Sequence, residues 1–194
     1  MDELGQDRVY SIQSICCNLD VFFMIPGITY KENFINESDE LFERLIAIVL
    51  WDDRMPARKT ASFGKAYNYS QMDYPFQAFL PELEEINNKL NAVIGFKPNN
   101  CLINYYLDGR AKMGYHSDQT DILEVDTGIA IVSLGETRSL KFRNIANPDQ
   151  FLTYELPSGS LVYMTQVVQA RWQHAIPKSD TDNSRISLTF RKIK

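Results

Sequence analysis

The sequence predicts an α+β fold: a β-sandwich, jelly roll or barrel with helices packed on one outer face. Two observations predict it. Beyond Gly95 the chain breaks into short runs rich in β-branched and aromatic residues: "CLINYYL", "GIAIVSL", "RSLKFR", "QFLTYEL", "SLVYMT" and "RISLTFR". Between them stand the turn signals "DGR", "LGET", "NPD", "PSGS" and "PKSDTDNS", a spacing that suits an antiparallel core. Before Gly95, two stretches instead carry apolar residues at helical spacing.

Residues 1–30 read as a loop with one short strand, "DVFFMIPG". "NESDELFERLIAIVLW" reads as the first helix. Asn36 or Ser38 suits its cap, acids fill its first turn, and Leu41, Leu45, Ile46 and Val49 recur on one face. "MPARKTASFGKAYNYSQ" is polar, aromatic and basic, punctuated by Pro56 and Gly64, and reads as strands around a turn. "PFQAFLPELEEINNKLNAVIG" reads as the second helix, with Pro81 near its start and Gly95 as its stop.

The 194 residues suit one domain and can bury a sizeable core. A net charge of −5 opposes a strong non-specific grip on nucleic acid, though not a local basic patch. No apolar run reaches the roughly 18 residues that span a bilayer, so no membrane partner is expected. The cysteines Cys16, Cys17 and Cys101 are odd in number and two are adjacent. They form no disulfide framework and read as reduced thiols of a cytoplasmic protein, or a nuclear one in a eukaryote. A monomer is expected.

The chain has only two histidines, His116 in "GYHSDQ" and His174 in "RWQHAI". Residues two apart on a strand share a face. His116 and Asp118 therefore converge if "YHSDQ" is extended, and His174 from another strand would complete two histidines and a carboxylate. That facial set leaves metal positions open and suits a non-haem Fe(II) oxygenase. The alternative is an exposed histidine beside an exposed aspartate. In "RISLTFR" strict alternation puts Arg185, Ser187, Thr189 and Arg191 on one face, opposite Ile186, Leu188 and Phe190. The polar face is either solvated or a clamp for a small dicarboxylate. The strand spans about 20 Å, and two arginine forks reaching toward each other leave room for a diacid.

Together, "ARKTASFGKAYNYS", "LINYYLDG", "GYHSD", "IAIVSLGETRSLKFR", "LPSGSLVYM", "WQHAIP" and "RISLTFR" resemble, in order, the motifs of the AlkB-like Fe(II)- and 2-oxoglutarate-dependent dioxygenases. The resemblance spans roughly Arg58 to Arg191. It implies a double-stranded β-helix (jelly-roll) core in residues 96–194. Residues 1–95 would supply the helices and a substrate-recognition segment, and 1–194 would form one domain. It assigns His116, Asp118 and His174 to iron. Arg185 would pair with the distal carboxylate of 2-oxoglutarate, and Arg191 would lie near the carboxylate beside the keto group. Asn104 and Tyr106 would hydrogen-bond this co-substrate, with Ser187 and Thr189 lining the same face. The implied chemistry consumes O2 and 2-oxoglutarate, releases succinate and carbon dioxide, and hydroxylates a substrate C–H. On an N-methyl group the product falls apart to formaldehyde and the amine.

The same resemblance marks "ARKTASFGKAYNYS" as a nucleotide-recognition segment. Tyr69 falls where an aromatic stacks on the damaged base, Tyr67 where a tyrosine lines the pocket, and Arg58 and Lys59 where phosphate or base contacts arise. The family's nucleic-acid members carry consecutive acids after the iron-binding aspartate. This chain has Gln119 and Thr120 there, with an acid only at Asp121, then Glu124 and Asp126. Thr120 and Asp121 are the substrate candidates of this loop. Two substrate classes follow: N-methylated nucleic acid, single strands preferred, or a small molecule or protein side chain. A binding module would need a broken triad or clamp, and halogenation a small residue at Asp118; neither is present.

Overall fold

The structure, a computed structural model, describes residues 25–69 and 72–194, and of Tyr69 the backbone alone. The strand expected over "DVFFMIPG" falls largely outside the described residues, as do Cys16 and Cys17. The remaining thiol, Cys101, is buried and free.

The six runs beyond Gly95 are all strands: β5 (Asn100–Tyr106), β7 (Gly128–Gly135), β8 (Arg138–Asn144), β9 (Phe151–Leu156), β10 (Leu161–Thr165) and β12 (Arg185–Arg191). β6 (Met113–His116) and β11 (Trp172–Ile176) join them. From the first half of the chain come β1 (Ile28–Lys31), β2 (Lys59–Gly64) and a small hairpin of β3 (Tyr67–Tyr69) and β4 (Met72–Tyr74). One sheet has the order β1-β10-β7-β12-β5-β2 and the other β6-β11-β8-β9, antiparallel throughout. β1 and β2 are the two edges of the larger sheet, so that sheet draws on both halves of the chain.

Period-two alternation builds two apolar layers from this larger sheet. Leu102, Ile129, Ile131, Val162 and Met164 point inward and meet Leu140, Phe142, Leu152, Tyr154, Leu156 and Trp172 of the smaller sheet. Their neighbours Cys101, Ile103, Ala130, Val132, Leu134, Ile186, Leu188 and Phe190 point outward. There they meet Leu45 and Val49 of helix α1 (Ser38–Ile48) and its C-cap, and Leu83, Ile86 and Leu90 of helix α2 (Pro81–Ile94). The helices thus cover one outer face, as expected.

Pro81 occupies the first turn of α2, where its missing N–H costs nothing, and Gly95 ends it in the left-handed region at φ 81°. The cap of α1 differs from expectation. Glu37 is the N-cap, no side chain caps it, and Ser38 lies inside the helix. The Ser38 hydroxyl is engaged instead, accepting from Ser158 Oγ at 2.9 Å. A short helix, α3 (Gln166–Arg171), leads from β10 straight into β11. Its "QVVQAR" carries two valines that favour strand; the demand of crossing from one sheet to the other overrides that preference. Among the described residues no helix is long and apolar enough to cross a membrane.

Candidate active site

β6 pairs with β11 so that His116 stands directly opposite His174, with ring centroids 4.4 Å apart. His116 is half-buried at the end of its strand. Its Nδ1 lies 2.8 Å from the Gly114 carbonyl oxygen. A proton on Nδ1 would be donated there, leaving the Nε2 lone pair for a metal. His174 is buried and packs near Phe142. Burial pushes its imidazole down to about 4, against the upward pull of Asp118. It is therefore neutral at pH 7, the state a ligand needs.

Asp118 arrives differently from the strand alternation expected. β6 ends at His116, so Asp118 lies in the following loop, where no ladder aims it. Three bonds to the α3–β11 segment hold that loop. The Asp118 backbone N–H donates to Gln169 Oε1 at 2.9 Å, Ser117 Oγ donates to the Trp172 carbonyl at 3.3 Å, and Gln166 Nε2 donates to the Glu124 carbonyl at 2.7 Å. Asp118 Oδ2 then lies 3.6 Å from His174 Nε2, and Oδ1 lies 3.3 Å from an Arg191 terminal nitrogen. Burial alone would raise the Asp118 carboxyl. The Arg191 guanidinium first, and then the two neighbouring histidines, outweigh that and hold the group below the usual carboxylate range.

One ligand atom from each of His116, Asp118 and His174 lies within 4.8 Å of the others. Two nitrogen donors and one ionised carboxylate, converging from one strand pair and one loop, fit a divalent cation with open positions.

The polar face of β12 is not solvated. Arg185, Ser187, Thr189 and Arg191 are all buried. With Asn104 and Tyr106 of the paired strand β5, they line the same pocket as the three metal-ligand candidates. Arg185 NH2 donates to Ser133 Oγ at 2.9 Å, its Nε has no partner, and it has no ion pair among the described residues. Burial pushes its guanidinium down to about 10, still charged at pH 7. A buried cation without a counter-ion beside unfilled donors fits an anionic ligand. Leu102, Ile131, Leu140 and Leu156 supply apolar walls.

The substrate candidates divide. Arg58 is not on a solvated turn: it is buried, and its Nε donates to Asn104 Oδ1 at 2.6 Å. Its reach is inward because β2 pairs with β5 and sets Thr60 opposite Asn104. Tyr67 is buried, with the Arg191 guanidinium 5.3 Å from its ring centroid. The Tyr69 side chain lies outside the described residues. Thr120 and Asp121 do not line the pocket. The Thr120 carbonyl accepts from the Leu123 N–H, Asp121 is exposed, and the Asp121 carbonyl accepts from Lys194 Nζ. The loop turns away there toward the C-terminal residues, and Glu124 pairs with Lys192 at 3.3 Å.

Sequence reasoning missed Gln169, Ser133 and Arg138. Ser133 had a visible signal, a hydroxyl at an inward register position of an apolar strand. Gln169 and Arg138 had none, since their partners are backbone groups far away in sequence.

The model of the 2OG-Fe(II) oxygenase superfamily matches residues 50–191. Alpha-ketoglutarate-dependent dioxygenase alkB homolog 3 of Rattus norvegicus is 31% identical over 98% of this chain and 70% of its own length. DNA oxidative demethylase ALKBH2 of Homo sapiens is 33% identical over 70% of this chain and 56% of its own. The solved structure of OsALKBH1 shares the fold, with a TM-score of 0.64 at 14% identity, over 88% of this chain and 98% of that one. This likeness carries the jelly-roll core, and the family carries Fe(II), 2-oxoglutarate and O2. The chain belongs to the 2OG-Fe(II) oxygenase superfamily, in its AlkB-like branch, and is an Fe(II)- and 2-oxoglutarate-dependent dioxygenase.

Proposed function

We propose that this dioxygenase demethylates N-methylated nucleic-acid bases, preferring single strands, and releases formaldehyde. The observation that carries the reading is the joint between recognition segment and pocket. Arg58, just before β2, bonds Asn104 inside the pocket, and Tyr67 of β3 packs against Arg191. A similar protein bears the name DNA oxidative demethylase.

Iron(II), held by His116, Asp118 and His174, would supply dioxygen activation coupled to decarboxylation of 2-oxoglutarate, and thereby hydroxylation of the substrate methyl group. The protein's part is placement and charge. Asp118 stays ionised beside Arg191, and His174 stays neutral through burial. Arg185 pairs with the distal carboxylate of the diacid, its fork steadied by Ser133. Arg191 offers the second positive charge, and Asn104 and Tyr106 donate hydrogen bonds to the diacid. Ser187 and Thr189 line the wall between the arginines. The apolar walls exclude water, which strengthens each of these contacts. The hydroxymethyl amine so formed loses formaldehyde and leaves the bare base nitrogen. The sequence resemblance alone gives Tyr69 the role of stacking on the base.

A second reading, an oxygenase for a small molecule or protein side chain, is favoured by the turning away of Thr120 and Asp121 from the pocket. Formaldehyde and succinate release with methylated oligonucleotides, against a metabolite panel, separates the two. Release with no oligonucleotide carrying methylated adenine, cytosine, guanine or thymine would remove the demethylase reading.

A further inference from the structure

A second concavity lies beside the pocket. It measures about 750 Å³ and is lined by the segment before β2, the β5–β6 loop and the start of the β11–β12 loop. Lys59, Arg110, Lys112 and Lys178 line it with the acidic Asp53 and Asp108, and buried Arg58 lies at its floor, in a chain whose net charge is −5. Arg110 is paired with Asp108, but Lys59, Lys112 and Lys178 make no ion pair among the described residues. Leu107, 52% exposed, stands among them.

The walls are clasped together. The Gly109 N–H donates to the Thr181 carbonyl at 2.8 Å, and the Ser179 N–H donates to the Gly109 carbonyl at 3.0 Å. A Cβ at Gly109 would come within 2.1 Å of the Ser179 carbonyl oxygen, so only glycine permits this approach. Buried Arg138 ties the same two loops from beneath, donating to the carbonyls of Ala111 at 2.9 Å and Pro177 at 2.5 Å. At the floor Arg58 reaches through to Asn104 of the pocket.

We propose that this groove carries the sugar–phosphate backbone of the nucleic-acid strand whose methylated base enters the pocket. The inference rests on the demethylase reading and adds where the strand runs. Uncommitted lysines match phosphates, and the exposed leucine among them matches a sugar or base face. A preformed groove binds without paying to order its walls. An acidic peptide would use the lysines but leave the apolar platform and the connection to the pocket without a role.

The test measures anisotropy of a labelled single-stranded oligonucleotide bearing an N-methyl base, alongside formaldehyde release. The double variant Lys112→Glu/Lys178→Glu is compared with Lys31→Glu/Lys141→Glu, whose lysines are exposed elsewhere. Expected for the groove variant are at least tenfold weaker binding near 0.1 M salt and a raised KM. Its log–log salt slope should be shallower by about 1.4, the share of two phosphate contacts on a single strand. Equal effects from both doubles, or tighter binding of polyglutamate than of the oligonucleotide, overturn the groove while wild-type demethylation stands. A wild-type protein that neither binds nor demethylates oligonucleotides, yet oxidises another substrate, overturns the demethylase reading and the groove with it.

Discussion

His116 and His174 face each other across the β6–β11 ladder, with ring centroids 4.4 Å apart and Asp118 brought alongside by a loop. Two imidazole rings at this distance gain little from each other, which the cation proposed to lie between them would account for. His116→Ala, Asp118→Ala and His174→Ala are each expected to abolish turnover and to lower Mn(II) affinity, read by electron paramagnetic resonance, by more than about a hundredfold. Wild-type-like Mn(II) binding in any two of them would end the assignment. Manganese here stands in for iron.

Gln169 is expected to set the place of Asp118, because its Oε1 is the partner of the Asp118 N–H. Gln169→Leu keeps the size and removes the acceptor. Metal affinity should fall roughly 10- to 100-fold, the usual loss for partners that orient a ligand. Gln166→Leu breaks a different bond of the same loop and should leave metal affinity intact. Equal metal affinity in both variants would show that Gln169 serves stability alone.

Arg191 and Asp118 form a buried ion pair at 3.3 Å. Arg191→Ala leaves that carboxylate buried and uncompensated, at an expected cost of about 3 kcal/mol in the metal-free protein. Saturating Mn(II) should restore part of the loss, since the metal then neutralises Asp118. Thermal unfolding with and without Mn(II) reads both effects, and an unchanged melting temperature in Arg191→Ala speaks against the pair.

Arg185→Ala is expected to raise the 2-oxoglutarate KM steeply, with a cost of roughly 2–5 kcal/mol for an unpaired carboxylate. Arg185→Lys should rescue only part, because a point charge loses the fork. The free guanidinium has its pKa pushed down to about 10 by burial. Co-substrate affinity should therefore hold steady near neutrality and drop by up to about tenfold per pH unit as pH climbs past about 10. For folding the sign is opposite. Between about 10 and the ordinary arginine value the unfolded chain holds more protons, so this group's contribution to stability rises with pH. Isothermal titration across pH checks the binding half, and affinity that climbs above pH 10 would contradict it.

Tyr69→Ala is expected to slow demethylation roughly ten- to a hundredfold if the ring stacks on the base, a contact worth about 1–3 kcal/mol. Arg58→Ala should instead raise the 2-oxoglutarate KM through Asn104 and leave the oligonucleotide salt slope nearly unchanged, because the Arg58 Nε is spent inside the protein. A strongly flattened salt slope in Arg58→Ala would restore it as a phosphate contact.

Local pattern alone determined the six strands beyond Gly95, the two helices, and the division of "RISLTFR" into an apolar and a polar face. Strand alternation, Pro81 and Gly95 act within a few residues, so one segment carries the whole signal. The candidate ligands His116, Asp118 and His174 and the arginines of β12 were singled out by local spacing, but spacing left a bland alternative open for each, and only the resemblance of the ordered motifs to a known family gave them roles. Tertiary structure decided the rest. The polar face of β12 is buried because a second sheet closes over it. Asp118 reaches the histidines after its strand has ended, because Gln169, fifty-one residues on, holds its backbone. Arg58 turns inward because β2 docks beside β5. α3 is helical against its valines because the chain must change sheets. Thr120 and Asp121 leave the pocket with a loop that ties itself to the C-terminal residues. Each of these depends on a partner distant in sequence, and spacing along one segment carries no information about such a partner.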